Sequence, residues 1–246
     1  MNTKAVRAVA RSEFALTMRR GESLVVTLAI PLGVLVFFTK IDANVPEGYT
    51  RAVDFLVPGV IALAVMSSAM VSLGIATGFD RRYGVLKRLG ATPLPRAGLV
   101  VAKTLTVLAL ELVQLALVIG AGMLLGWRPG GGAVGAIGIV LLGTCAFAGL
   151  GLLMAGTLRA EATLALANAL FLVLLFLGGM AYPLERLPSF LRDLARALPA
   201  AALSESLHGV LGGRAGAGFP AGSFVVLCVW AVLLPVLGAR WFRWEE

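Results

Sequence analysis

The chain has 246 residues, of which 59% are hydrophobic and 14% charged, and its mean hydropathy is +0.93; this composition excludes a soluble globular domain and marks an integral membrane protein. Its net charge of +8 does not indicate nucleic acid, because no polar run is long enough to fold as a water-facing basic domain. Cys145 and Cys228 fall inside apolar runs without CxxC or Cys/His spacing, which points to packing roles and away from a disulfide framework or a metal site.

In chain order, residues 1–22 set Lys4, Arg7 and Arg11 on one helical face, with Val6, Val9, Ala10 and Leu16 roughly opposite. That is the pattern of a basic amphipathic helix in the headgroups of the cytoplasmic leaflet. No small-x-small cleavage site follows the apolar run ending near Thr39, so the segment is expected to be retained and not removed as a signal peptide. The first span is predicted over residues 23–39. It is kinked by Pro31 and short for a hydrocarbon core about 30 Å thick. Lys40, Asp42, Pro46, Glu47, Gly48, Arg51 and Asp54 make a near-neutral outer loop. The second span occupies residues 55–78 and ends with Gly74 and Gly78 at GxxxG spacing, which suits close helix approach.

Residues 79–96 carry Arg81, Arg82, Lys87, Arg88 and Arg96 against one acid, Asp80, so they belong on the cytoplasmic side. Asp80 is a candidate N-cap, Val85, Leu86 and Leu89 lie within about one helical face, and Pro93 and Pro95 prevent smooth continuation. An ordinary basic loop obeying topology rules would account for the charge alone. The residue order adds more. Asp80, the Arg81 and Arg82 pair, Gly84-Val85-Leu86, the Lys87 and Arg88 pair, then Leu89 and Ala91-Thr92-Pro93 resemble the cytoplasmic loop after the second span of ABC-2 type transporter permeases, the group that includes daunorubicin-type drug exporters. The resemblance implies a cytoplasmic coupling helix that docks on a separate ATPase subunit. It assigns coupling to Asp80, Arg81, Arg82, Tyr83, Gly84, Val85, Leu86, Lys87, Arg88, Leu89, Thr92 and Pro93. It also implies ATP and Mg bound by the partner ATPase, no cofactor in this chain, and a dimer with an identical or related permease. The family more often has Glu where this chain has Asp80, which keeps the charge and shortens the reach.

The third span is predicted over residues 97–126, with Lys103 close enough to the cytoplasmic end to snorkel. Glu111 stands deep inside it, with Gln114 one helical turn away. An ionised carboxylate there costs several kcal/mol unless paired, neutralised or hydrated. Glu111 and Gln114 therefore either line a substrate pathway or subunit seam, or Glu111 is a structural carboxyl bonded to a neighbouring helix. Trp127, Arg128, Pro129 and three glycines form an outer turn before a fourth span at residues 133–157. Arg159 and Glu161 form a tight inner turn before a fifth at residues 162–180. Asn168 in the fifth span, and Ser67, Ser68 and Ser72 in the second, are weaker pathway candidates, because small polar side chains in spans commonly bond back to their own helix.

Residues 182–222 are divided by Pro183, Pro188 and Pro199. Phe190, Leu191, Leu194 and Leu198 share one face, and Leu203, Leu207, Val210 and Leu211 repeat the pattern, so two short amphipathic helices are predicted. The resemblance implies that they dip into the external leaflet as re-entrant helices; a surface loop lying on the bilayer is the alternative. A sixth span over residues 223–239 leads to a basic, aromatic anchor of Arg240, Trp241, Arg243 and Trp244.

The expected fold is thus an all-α integral membrane protein forming one permease domain with six transmembrane helices. Six spans put both termini on one side, and fourteen Lys and Arg on the basic side against seven on the other make that side cytoplasmic. The setting expected is a bacterial plasma membrane. No GxxxxGK[ST] segment is present, so the chain has no ATPase motif of its own, and no GxSxG or HExxH suggests a hydrolase. The leading function is the permease subunit of an ATP-driven exporter of a hydrophobic or amphipathic compound. An ion-coupled transporter or a membrane assembly factor is the alternative.

Overall fold

The structure, a computed structural model, describes residues 21–40, 48–86, 96–130, 132–180, 182–212 and 219–243. Most of the expected N-terminal amphipathic helix lies outside the described residues, as do Lys87, Arg88, Leu89, Thr92 and Pro93 of the basic loop. Among the described residues all regular structure is helical: α1 Gly21–Lys40, α2 Ala52–Arg82, α3 Arg96–Leu124, α4 Ala133–Thr157, α5 Ala160–Leu177, α6 Ser189–Arg196, α7 Pro199–Leu211 and α8 Ala221–Trp241, with one short 3₁₀ turn at Leu184–Arg186. Five of these, α2, α3, α4, α5 and α8, are long and apolar enough to cross a bilayer, and α1 adds a shorter apolar stretch, Pro31–Lys40. In hydrocarbon every backbone N–H and C=O must be bonded internally, so long uncharged runs have the helix as their stable form.

α2 is the centre of the bundle. In its most apolar stretch 83% of the residues are buried, against 22% in each of α5 and α8, so α2 is enclosed by its neighbours while the others turn broad faces outward. Each residue from Ala52 to Met66 is buried. Midway, Ser67–Ser72 widens into a π-helical turn, a geometry that inserts slack into the backbone and often marks functional sites. α4 crosses at this turn. A Cβ on Gly151 would stand 2.8 Å from the Met70 carbonyl oxygen and 3.0 Å from that of Ala69, so only glycine permits the approach. The Gly74 and Gly78 pair serves two neighbours and not one: Gly74 meets Gly151 of α4, while Gly78 lies against Ala160 and Thr163 of α5. α8 packs along the other side of α4, where a Cβ on Gly149 would stand 2.4 Å from the Pro235 nitrogen.

The two short helices after α5 differ from each other. α6 leaves Phe190 and Leu194 exposed and buries Ala195, as a surface-lying amphipathic helix would. α7 is a core helix, with its small residues Ala200, Ala201, Ala202, Ser204 and Ser206 buried along with Leu203, Leu207 and Leu211. The space at Gly132 and Gly135 is taken by Val210, and that at Gly143 by Leu203. α7 therefore runs beside the first half of α4 over about 16 Å at 1.5 Å per residue. Its pattern of apolar residues looked like a helix resting on lipid, but the surface it rests on is α4, with α2 and α8 on its other sides. Cys145, expected as a packing residue, is exposed, and Cys228 is half-buried.

Candidate functional site

Two polar clusters stand out, one at mid-height in the bundle and one where α2 runs into the basic loop. The first centres on Glu111, which is 1% exposed. Ser68 Oγ lies 3.0 Å from Glu111 Oε1 and Thr144 Oγ1 lies 2.6 Å from Oε2, both hydroxyls donating to the carboxyl group. Each hydroxyl is also 2.9 Å from a carbonyl of its own helix, Ala64 for Ser68 and Val140 for Thr144, so each has more than one acceptor for its one hydrogen. Ser68, Glu111 and Thr144 stand near the midpoints of α2, α3 and α4, so the cluster crosslinks three helices at one depth. Ser68 also sits in the π-helical turn.

Glu111 thus faces its own bundle. Gln114 is buried on the same side of α3. Asn168 does not join them: its amide donates to Leu164 O at 2.8 Å, one turn back along α5, and the residue is exposed. Thr144 escaped the sequence analysis. Its signal was its distance from the span ends, which matches that of Glu111, and not its chemistry, since isolated threonines are common in spans.

The second cluster is formed by three consecutive residues. Helical rotation of about 100° per residue aims them in three directions, and each finds a different element. Asp80 Oδ2 accepts from Lys103 Nζ of α3 at 2.9 Å, the Arg81 guanidinium donates to Leu158 O in the turn between α4 and α5, and Arg82 pairs with Glu161 of α5. Lys103 does not snorkel. It is 1% exposed, and its ammonium ion is answered by Asp80 inside the protein.

Nor is Asp80 an N-cap. α2 continues through it to Arg82, a turn beyond the expected span end, because the charged residues of that turn have partners across the bundle. The break comes at Tyr83 and Gly84, where Gly84 adopts φ +71, and helical geometry resumes at Val85. Beyond the break Tyr83 is 68% exposed and Val85 38%, whereas Leu86 is fully buried in the protein's own core. Of the three expected apolar anchors, Val85 faces outward, Leu86 inward, and Leu89 lies outside the described residues.

The profile of the ABC-2 type transporter family matches residues 4–212. The chain belongs to that family. Among its relatives is a Bacillus subtilis (strain 168) protein whose name describes a transport permease, YvfS, 24% identical over 182 residues that cover 70% of this chain and 71% of the relative. Another, named as the transport permease ycf38 of Porphyra purpurea, is 29% identical over 217 residues covering 83% of this chain and 72% of the relative. As an ABC-2 family member with several apolar membrane-length helices, the chain is a multi-pass membrane protein and a permease component of a transporter. ABC-2 permeases lack an ATPase domain of their own and generally work with an ATPase subunit. The clamp made by Asp80, Arg81 and Arg82 in this ABC-2 permease ties the start of the basic loop to three separate parts of the bundle.

Proposed function

We propose that this permease is the membrane half of an ATP-driven exporter that moves a hydrophobic or amphipathic compound out of the cytoplasm or inner leaflet by alternating access, as daunorubicin-type exporters do. It works as a dimer, with an identical or related copy, in a bacterial plasma membrane. Six spans hold both termini in the cytoplasm. ATP and Mg reside on a separate ATPase subunit, and residues 79–96 dock on that subunit.

The clamp carries this reading. A loop that only marks topology needs charge and nothing more, whereas a loop that transmits force needs a rigid root. Asp80, Arg81 and Arg82 give the root three fastenings, to α3, to the turn between α4 and α5, and to α5. Tyr83 and Val85, just beyond the root, expose apolar surface suited to a partner's cleft, while Leu86 holds the loop against the bundle. Buried anchors at interfaces are commonly worth about 2 kcal/mol or more, a factor of about thirty in affinity.

The test is co-purification with the partner ATPase in detergent, followed by transport in reconstituted vesicles. Val85→Asp should release the ATPase by about thirtyfold while leaving the thermal stability of the permease unchanged. Full association and full transport in Val85→Asp and Tyr83→Asp, with transport abolished in Glu111→Gln, would replace this function with an ion-coupled carrier.

A further inference from the structure

His208, the only histidine of the chain, lies between two carbonyl groups. Its Nδ1 is 2.7 Å from Ser204 O, one turn back along α7, and its Nε2 is 2.9 Å from Phe55 O in the first turn of α2. Carbonyl oxygens accept hydrogen bonds and never donate them. A neutral imidazole has one N–H, so it serves one of these carbonyls and turns a lone pair toward the other, while the imidazolium serves both. The Ser204 hydroxyl, 3.3 Å from Nδ1, does not resolve the conflict, because its hydrogen is directed to Gly179 O at 3.1 Å. The aromatic surroundings also suit a cation. The Phe55 ring lies tilted against the imidazole at 4.6 Å between centroids.

We propose that His208 is a proton-binding latch between α7 and the start of α2, closed when the imidazole carries two protons and released when it carries one. The latch forms one wall of an open-mouthed cavity of about 770 Å³ lined by α7, the starts of α2 and α8, the 3₁₀ turn and Arg196 of α6. The other charged groups of these walls are engaged. On α7, Glu205 accepts from the Ser223 hydroxyl and faces Arg196 of α6 at 3.7 Å. At the start of α2, Asp54 is bonded by Arg51 at 3.1 Å. In the 3₁₀ turn Arg186 lies over the Tyr182 ring at 5.7 Å, beside Glu185. α8 contributes Gly222, Ser223 and Val226, none of which titrates. Histidine is the side chain whose ordinary titration falls between about pH 5 and 8.

The sign follows from the geometry. Acid supplies the second N–H and fastens α7 to α2. Raising the pH removes one of the two hydrogens; with the other kept on Nδ1, which has the shorter contact at 2.7 Å, a lone pair faces Phe55 O and that wall of the cavity is freed. That the proton comes from the outside medium rests on the topology proposed above; the latch itself does not.

The full-length protein in lipid nanodiscs, labelled with ¹⁵N-histidine, gives the direct test, because a single histidine yields a single pair of ring nitrogens. Both should be protonated near about pH 5 and one proton should be lost by about pH 8. Amide exchange in α7, corrected for intrinsic chemistry, should rise about tenfold over the same interval, the scale of losing one hydrogen bond from a charged donor. His208→Gln should exchange at a rate that does not depend on pH. A ring that stays singly protonated throughout would overturn the latch, as would a pH step that persists in His208→Gln. Should that variant fail to fold, the ring titration and the exchange step in the wild-type protein decide the matter together. Reversed membrane orientation would change the compartment sensed and leave the titration as it is.

Discussion

Glu111 and Lys103 are buried ionisable groups on one helix that are accommodated in different ways. Lys103 is matched by an opposite charge, Asp80, while Glu111 is held by two neutral hydroxyls that also have acceptors on their own helices. The first arrangement fastens. The second permits exchange, since Ser68 and Thr144 can each redirect one hydrogen without moving a heavy atom far. Thr144→Val should therefore cost about 1 kcal/mol of stability, one net hydrogen bond, measured by thermal melting in detergent. Glu111→Gln should keep insertion but change transport. Unchanged activity across several substrates would reduce the carboxyl group to a structural crosslink. In the sequence Glu111 stood out as the acid within an apolar run, with Ser68 and Asn168 as weaker candidates. What could not be seen was direction around the helix. Asn168 turns outward and bonds to its own backbone, while Thr144, which drew no notice, completes the cluster.

At the scale of elements, close glycine contacts set where the helices can cross. Gly151→Val would drive a side chain into the carbonyls of the π-helical turn, which are backbone and cannot move aside. A loss of about 3 kcal/mol, comparable to other overpacked cores, is expected in the same melting experiment. Gly138→Ala on the same helix is the control: a Cβ there has nothing within 4 Å, and replacing a helical glycine should be neutral or stabilise by up to about 1 kcal/mol. Wild-type melting of Gly151→Val would mean that α2 and α4 separate more readily than their contact suggests. The all-helical class was legible because long uncharged runs leave the backbone no other way to bond itself. The extra turn of α2 was not, since Asp80, Arg81 and Arg82 look like loop residues until their partners on α3, in the turn between α4 and α5, and on α5 are known. α7 was misleading for a related reason. An apolar face has the same sequence whether it meets lipid or another helix.

For the whole molecule, orientation is the expectation on which the proposed export direction depends. Reporter fusions at Glu47, Trp127 and Arg214 should read as external, and fusions at Lys87 and Glu246 as cytoplasmic. A cytoplasmic signal at Arg214 would remove one of the six spans. The crossing of α2 and α4 near Ala69 and Gly74 has a mechanical consequence within that frame. It divides α2 unequally, leaving roughly 15 Å of helix toward Arg82 and roughly 30 Å toward Ala52 at 1.5 Å per residue. The short arm is gripped by the charge clamp, and the long arm ends beside α7 and the cavity. Were α2 to tilt about this crossing as one body, a displacement at the clamp would be about doubled at the far end.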